Sequence, residues 1–311
     1  MSIKSIDGWN FDRIHFSWKP SMEPIDSVKD GEEFEVSVPD SSTMQVKEDW
    51  TTSDMDHLDT SKFDGAVGPV YVEGAEAGDV LEVEIVDIKT GRWGWTSIQP
   101  DFGFIKKRFQ NRLIIWKIQD GVAYTDDDFL KGVRIEAKPF LGVTGVAPGS
   151  GEYGMIPPQY FGGNMDNHLL VKGAKLYLPV HQKGALLSVS DPHASQGDGE
   201  VCGTAIETSA NVTLRVSVLK GRNMKFPRAV SPYTDTDEKI VAMGIAPDLK
   251  EAASIAVDSM IEELQTKGFT DEEAYALMSV AGDLRISEVV DEPNFVVSAT
   301  MAARYARRER D

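Results

Sequence analysis

Three carboxylates and an imidazole fall within ten residues in Asp191-Pro-His-Ala-Ser-Gln-Gly-Asp-Gly-Glu200. The segment follows the apolar run 185–189, which reads as a strand. A strand end holds the first loop residues rigidly, and Gly197 and Gly199 allow a turn tight enough for Asp191, His193, Asp198 and Glu200 to converge. Mixed nitrogen and oxygen donors suit a zinc-like divalent ion. The same residues also suit metal-free proton transfer, with His193 as general base and Asp191 holding its tautomer. Aspartates beside proline or glycine also close turns by accepting from nearby amides.

A second chemical segment is Phe161-Gly-Gly-Asn-Met-Asp-Asn-His168. Gly162 and Gly163 permit close approach of the backbone to a ligand, and Asn164 or Asp166 could orient an amide or a metal. Near the N-terminus, Phe34-Glu-Val-Ser-Val-Pro-Asp40 reads as a strand that delivers Asp40 to a loop. Cys202, in Val201-Cys-Gly203, has no neighbouring Lys or Glu pattern of a thiol-dependent amidase and reads as a buried small residue.

The elements that must position these groups have a period of two from Phe34 to about Leu219. In Val212-Thr-Leu-Arg-Val-Ser-Val-Leu219, the apolar Val212, Leu214, Val216 and Val218 alternate strictly with Thr213, Arg215 and Ser217. Turn clusters such as Glu73–Asp79 and Ala147–Gly151 separate such runs, as an antiparallel sandwich or barrel requires. After Pro247 the period becomes helical: Asp248 and Glu251 are placed as a capping box, with Gly268 as a stop. A second helix starts at Thr270 and Glu273 and ends at Gly282. Strand patterning returns from Arg285 to Ala299, and 304–311 reads as a solvated helical end. The expected organisation is mainly β with an α+β C-terminal part: a β-rich body over 1–220, with a smaller α+β appendage over 221–311. Gly221 to Asp237 is expected to be a polar linker between them.

The chain has 311 residues, 50 acidic against 32 basic, for a net charge of −18. That field repels nucleic-acid phosphates and anionic membrane surfaces, so neither is expected as a partner. One cysteine excludes an internal disulfide, and no secretory leader or apolar run of membrane-spanning length is evident. A cytoplasmic, homo-oligomeric protein is expected.

These segments resemble the acetamidase/formamidase family over nearly the whole chain. Gly162-Gly-Asn-Met-Asp166, Leu176-Tyr-Leu-Pro-Val180, Gly184-Ala-Leu-Leu187 and Asp191 to Gly203 follow its central signature in order. Gly68 to Asp79 and Glu273 to Ile286 match on either side. Ser190 departs from it, since the family more often has glycine there, and adds bulk beside the expected site. Ala77 stands where proline is usual.

The resemblance implies a jelly-roll core, hydrolysis of formamide or short amides to carboxylate and ammonia, and a bound divalent metal, expected to be zinc with calcium as a second ion. It points to Asp166, Asp191, His193 and Glu200 as the site, with Asp40 as a further contributor. His193, Asp191, Asp166 and Asp40 are the expected ligands. Glu200, with His193 and Asp191, is expected to do the catalysis by activating a metal-bound water, and Asn164 and Gly163 to contact substrate. The alternatives are a non-catalytic β-sandwich relative that binds a metal or small ligand, and a hydrolase of a larger amide, for which Arg92-Trp-Gly-Trp95 leaves room.

Overall fold

The computed structural model describes residues 3–234 and 237–307. Strictly alternating segments become the strands of a long sheet. Val212, Leu214 and Val216 of Ala210–Leu219 are fully buried, while Thr213 and Arg215 are not. This strand lies between Glu33–Val38 and Val80–Thr90, antiparallel to both. The nine-stranded sheet continues outward through Lys175–Pro179, Arg228–Thr234, Asp237–Ala246 and Phe295–Ala302 to Gly282–Glu288, with Lys4–Asp7 at its other edge.

A six-stranded sheet packs over it, built around Phe140–Gly145, Leu187–His193 and Ala66–Val72. Val36, Leu81, Val83 and Leu214 from the long sheet meet Val67, Val70, Leu141 and Val189 from the other in one core. A four-stranded sheet of Trp93–Ile98, Arg112–Gln119, Val122–Tyr124 and Arg134–Glu136 stands beside this sandwich. The expectation of a mainly β chain with helices near its C-terminus is met.

Helices α1 (Leu249–Gln265) and α2 (Asp271–Ala281) cover the far end of the long sheet. Asp237–Ala246 shows why. Its Val241, Met243 and Ile245 belong to the sandwich core, while Ile240, Ala242 and Ala246 pack beneath α1 with Ala252, Ala256 and Met260. A strand covered on both faces loses its alternation and reads as a continuous apolar run. Gly244 allows the close contact: a Cβ there would stand 1.9 Å from the Ala252 carbonyl oxygen. Asp248 caps α1 by accepting from the Glu251 amide, and Thr270 and Glu273 form the reciprocal capping box of α2.

The expected Gly221 to Asp237 linker is corrected. Arg228–Thr234 is a strand that pairs with Lys175–Pro179 on one side and Asp237–Ala246 on the other, so the long sheet runs unbroken across residue 220. Arg228 hid it, because a charged side chain breaks the apolar pattern, yet here its guanidinium donates to Ser259 and Glu262 of α1. At the other end of the appendage, Ala303–Ala306 forms a single 3-10 turn, and 308–311 of the expected helical end lie outside the described residues. No helix among the described residues is long and apolar enough to cross a membrane.

Candidate active site

The strand Leu187–His193 extends further than its apolar run, so Asp191 and His193 sit on the strand itself rather than on the loop after it. Spacing by two places both side chains on one face. Opposite them is Gly142, where a Cβ would meet Asp191 Oδ2 at 2.2 Å and Asp166 Oδ1 at 2.5 Å. The missing side chain opens the space that these carboxylates share.

A cavity of about 300 Å³ opens here, and six carboxylates line it: Asp64, Asp166, Asp191, Glu200, Glu207 and Asp291. All six are buried. Four of them, Asp64, Asp166, Asp191 and Glu200, have φ between 42° and 56°. The left-handed region costs a non-glycine residue about 1–3 kcal/mol and persists only where surrounding structure enforces it, a pattern that clusters at functional sites.

His193 Nε2 lies 2.9 Å from Asp191 Oδ1 and 3.0 Å from Glu207 Oε2. On the other side of the ring, Nδ1 faces Gln196 Oε1 at 2.9 Å. The Gln196 amide is oriented by its Nε2, which donates to the Asp166 carbonyl at 2.7 Å, so its oxygen must face the histidine. Nδ1 therefore carries the proton. The Nε2 lone pair of the neutral ring is then turned towards two carboxylate oxygens, an arrangement that is repulsive unless a cation or a second proton lies among them.

The electrostatics follow from burial. Burial, then the neighbouring carboxylates, hold Asp64, Asp191, Glu200 and Asp291 well above the usual carboxylate range, with His193 opposing at several of them. Asp166 is pushed up to about 6, and Glu288, behind the cavity, to about 8, burial being the leading cause for both. Glu207 runs the other way: burial opposes its charge, but His193 more than offsets it. Burial likewise opposes charge on His193, yet Asp191 and Glu207 hold its imidazolium well above the ordinary range. So many buried carboxylates with one imidazole require protons or cations for compensation.

The residues fit a divalent cation. Asp166 Oδ1 and Oδ2, Asp191 Oδ1, His193 Nε2 and Glu207 Oε2 are buried without a hydrogen-bond partner. Ligand atoms of Asp166, Asp191 and His193, and of His193, Glu200 and Glu207, lie within 4.8 Å of one another. These mixed sets suit zinc. Asp166, Glu200 and Asp291 form a third set within the same limit, all oxygen, as calcium requires.

Asp166, Asp191, His193 and Glu200 thus converge, although they come from separate segments. Asp40 does not join them. Its Oδ2 accepts from Trp95 Nε1 and Ser42 Oγ and its Oδ1 from the Met44 amide, so its oxygens are already committed. Asp198 also turns away, to pair with Arg285 and His168. Asn164 lines the cavity: its Nδ2 donates to Asp291 and its Oδ1 is buried without a partner. Gly163 lies outside the lining, in the strand Gly162–Asn164 that positions Asn164. Ser190 adds no bulk to the cavity, because its hydroxyl donates to the Gly65 carbonyl on the opposite face of its strand.

Four acidic residues were missed. Glu207 is bridged to both Trp95 and His193, which brings two sheets together at the site. Asp64 follows a short 3-10 turn, and Glu288 and Asp291 come from the end of Gly282–Glu288 and the loop after it. The C-terminal portion therefore contributes to the cavity. Asp64 and Glu207 are solitary acids in ordinary local patterns, and Glu288 and Asp291 lie in a strand-and-turn segment without a histidine or glycine beside them. Only the apolar neighbours of Asp64 and Asp291 hinted at burial.

The acetamidase/formamidase family model matches residues 8–153 and 150–304. The formamidase of Methylophilus methylotrophus is 28% identical, over 92% of this chain and 88% of its own length. The acetamidase of Mycolicibacterium smegmatis is 26% identical, over 86% of this chain and 85% of its own. Among solved structures, a predicted acetamidase/formamidase from Thermoanaerobacter tengcongensis superposes with a TM-score of 0.87 at 32% identity, covering 98% of this chain and 99% of that one. The matches span the sandwich and the C-terminal portion alike, and the chain belongs to the acetamidase/formamidase family.

Proposed function

We propose that this chain hydrolyses small carboxamides to a carboxylate and ammonia, with water activated in the carboxylate cavity. Family membership supports the reaction class. The orientation of His193 carries the site assignment: Gln196 fixes its proton on Nδ1 and turns Nε2 into the acidic cluster. His193, Asp191 and Glu207, with Asp166, are the proposed ligands of a zinc-like ion. Such a cation, when bound, supplies Lewis acidity for the amide carbonyl and lowers the pKa of water from 15.7 towards about 7.

The chain's own groups account for the remaining needs. Glu200, which lines the cavity, takes the proton of the attacking water as a carboxylate and returns it to the departing nitrogen. Asn164 Oδ1, with its Nδ2 committed to Asp291, is an acceptor for the substrate's amide hydrogens. The alternative, His193 as general base, is disfavoured because its Nε2 is turned towards Asp191 and Glu207 and His193 does not itself line the cavity.

A lone free cysteine, half-buried and close to Thr204, is consistent with the cytoplasm as the proposed location, and a homo-oligomer is the proposed assembly. Ammonia release from formamide, acetamide and propionamide tests the function. Release supports an amidohydrolase; tight metal binding without release from any amide would leave the non-catalytic binding protein.

A further inference from the structure

We infer that the cavity selects uncharged amides whose acyl chain has about four to six carbons over formamide. This deepens the proposed amide hydrolysis and rests on it. The cavity holds about 300 Å³. Formamide has three heavy atoms, and at roughly 30 Å³ for each water-sized atom it fills no more than about a third of that space. The less buried part of the lining is Phe63, Phe102 and Ile156, together with Thr60 and Gln99, whereas the carboxylates are buried. The cavity therefore has buried acids and a less buried wall that is largely aromatic and aliphatic.

That wall is built rather than loose. Phe102 is seated on Gly203, where a Cβ would stand 2.4 Å from the ring, and at the next residue, Gly103, a Cβ would stand 2.8 Å from the Cys202 carbonyl oxygen. Phe63 packs edge-on against the buried Trp95, with ring centroids 6.4 Å apart. Apolar walls above a reaction centre have no use for formamide, which has no carbon beyond the carbonyl to place against them. An aliphatic acyl chain would bury against them, and each methylene removed from water is worth about 0.8 kcal/mol, or three- to fourfold in kcat/KM. An acyl chain ending in a carboxylate would instead have to bring its charge against those apolar walls.

The test is kcat/KM for ammonia release by the intact, zinc-supplemented protein across formamide, acetamide, butyramide and hexanamide, with glutaramate as an anionic probe. The expected result is a rise of about three- to fourfold per methylene as far as hexanamide, with glutaramate at least tenfold below butyramide. Phe102→Ala should lower the hexanamide-to-formamide ratio about tenfold, and Ile156→Ala should lower it less, which keeps the wall testable if one variant fails to fold. A steady fall from formamide upward would overturn the inference and leave the amidase reading intact. Release from no amide would overturn both.

Discussion

Stripping bound cations from the folded protein should make its stability fall as pH rises, and Asp166 sets the scale. Its carboxyl is pushed up to about 6 from 3.8, by burial first and by Glu207, against the opposing pull of His193 and Asp291. A raised carboxyl pKa means that the fold keeps a proton the unfolded chain has already released. That stability is intact below about pH 4 and lost as pH climbs through 6. At 1.36 kcal/mol per pH unit, the displacement corresponds to roughly 3 kcal/mol from Asp166 alone. Glu288, pushed up to about 8 from 4.5, acts in the same direction over a higher window.

A divalent cation replaces these protons, so the loaded protein escapes most of the loss. Thermal unfolding of loaded and chelated protein at pH 5 and pH 8 reads the difference, and the comparison cancels surface repulsion from the −18 net charge. About one pH unit of the Asp166 effect, roughly 1.4 kcal/mol, falls between pH 5 and pH 6, so at roughly 2 °C per kcal/mol the gap in Tm should widen by about 3 °C from Asp166 and further with Glu288. An equal gap at both, or a stripped protein that is more stable at pH 8, would refute the reasoning.

Glu200→Gln should fold normally and lose about 10²–10⁴ in kcat, measured by ammonia release, because glutamine cannot relay the proton. Undiminished turnover would remove Glu200 from that role. Gln196→Ala frees the His193 ring and should weaken zinc affinity by about 10–100-fold, measured by competition with a chromogenic chelator, while the carboxylates stay in place. Asp40→Asn should keep its metal content, since Asp40 is committed to Trp95, Ser42 and Met44. It should lose about 1–3 kcal/mol of stability, because an amide cannot accept at every position a carboxylate does.

How much of this was legible depended on whether a signal was local. Asp191, His193 and Glu200 share one turn-rich segment, so their density stood out, and Asp166 lies in a glycine-marked one. The sandwich strands were equally visible, since half-buried strands alternate. Glu207, Asp64 and Asp291 reach the site only through tertiary pairing: Glu207 by bridging Trp95 and His193, Asp291 by the return of a hairpin from the far edge of the long sheet. Nothing within a few residues of any of them encodes that meeting. Arg228–Thr234 was unreadable for a related reason, because the acids that neutralise Arg228 lie on a helix more than thirty residues later. Asp198 was misplaced because glycines permit a turn without specifying which side chains it directs inward; the pull of Arg285 decides that.

Ammonia release from the preferred amide, followed before chelation, after chelation and after zinc is restored, tests the cation-assisted amidase most directly. Release that stops on chelation and returns with about one equivalent of zinc is the predicted result. Release that continues undiminished in protein shown to be free of metal would contradict it.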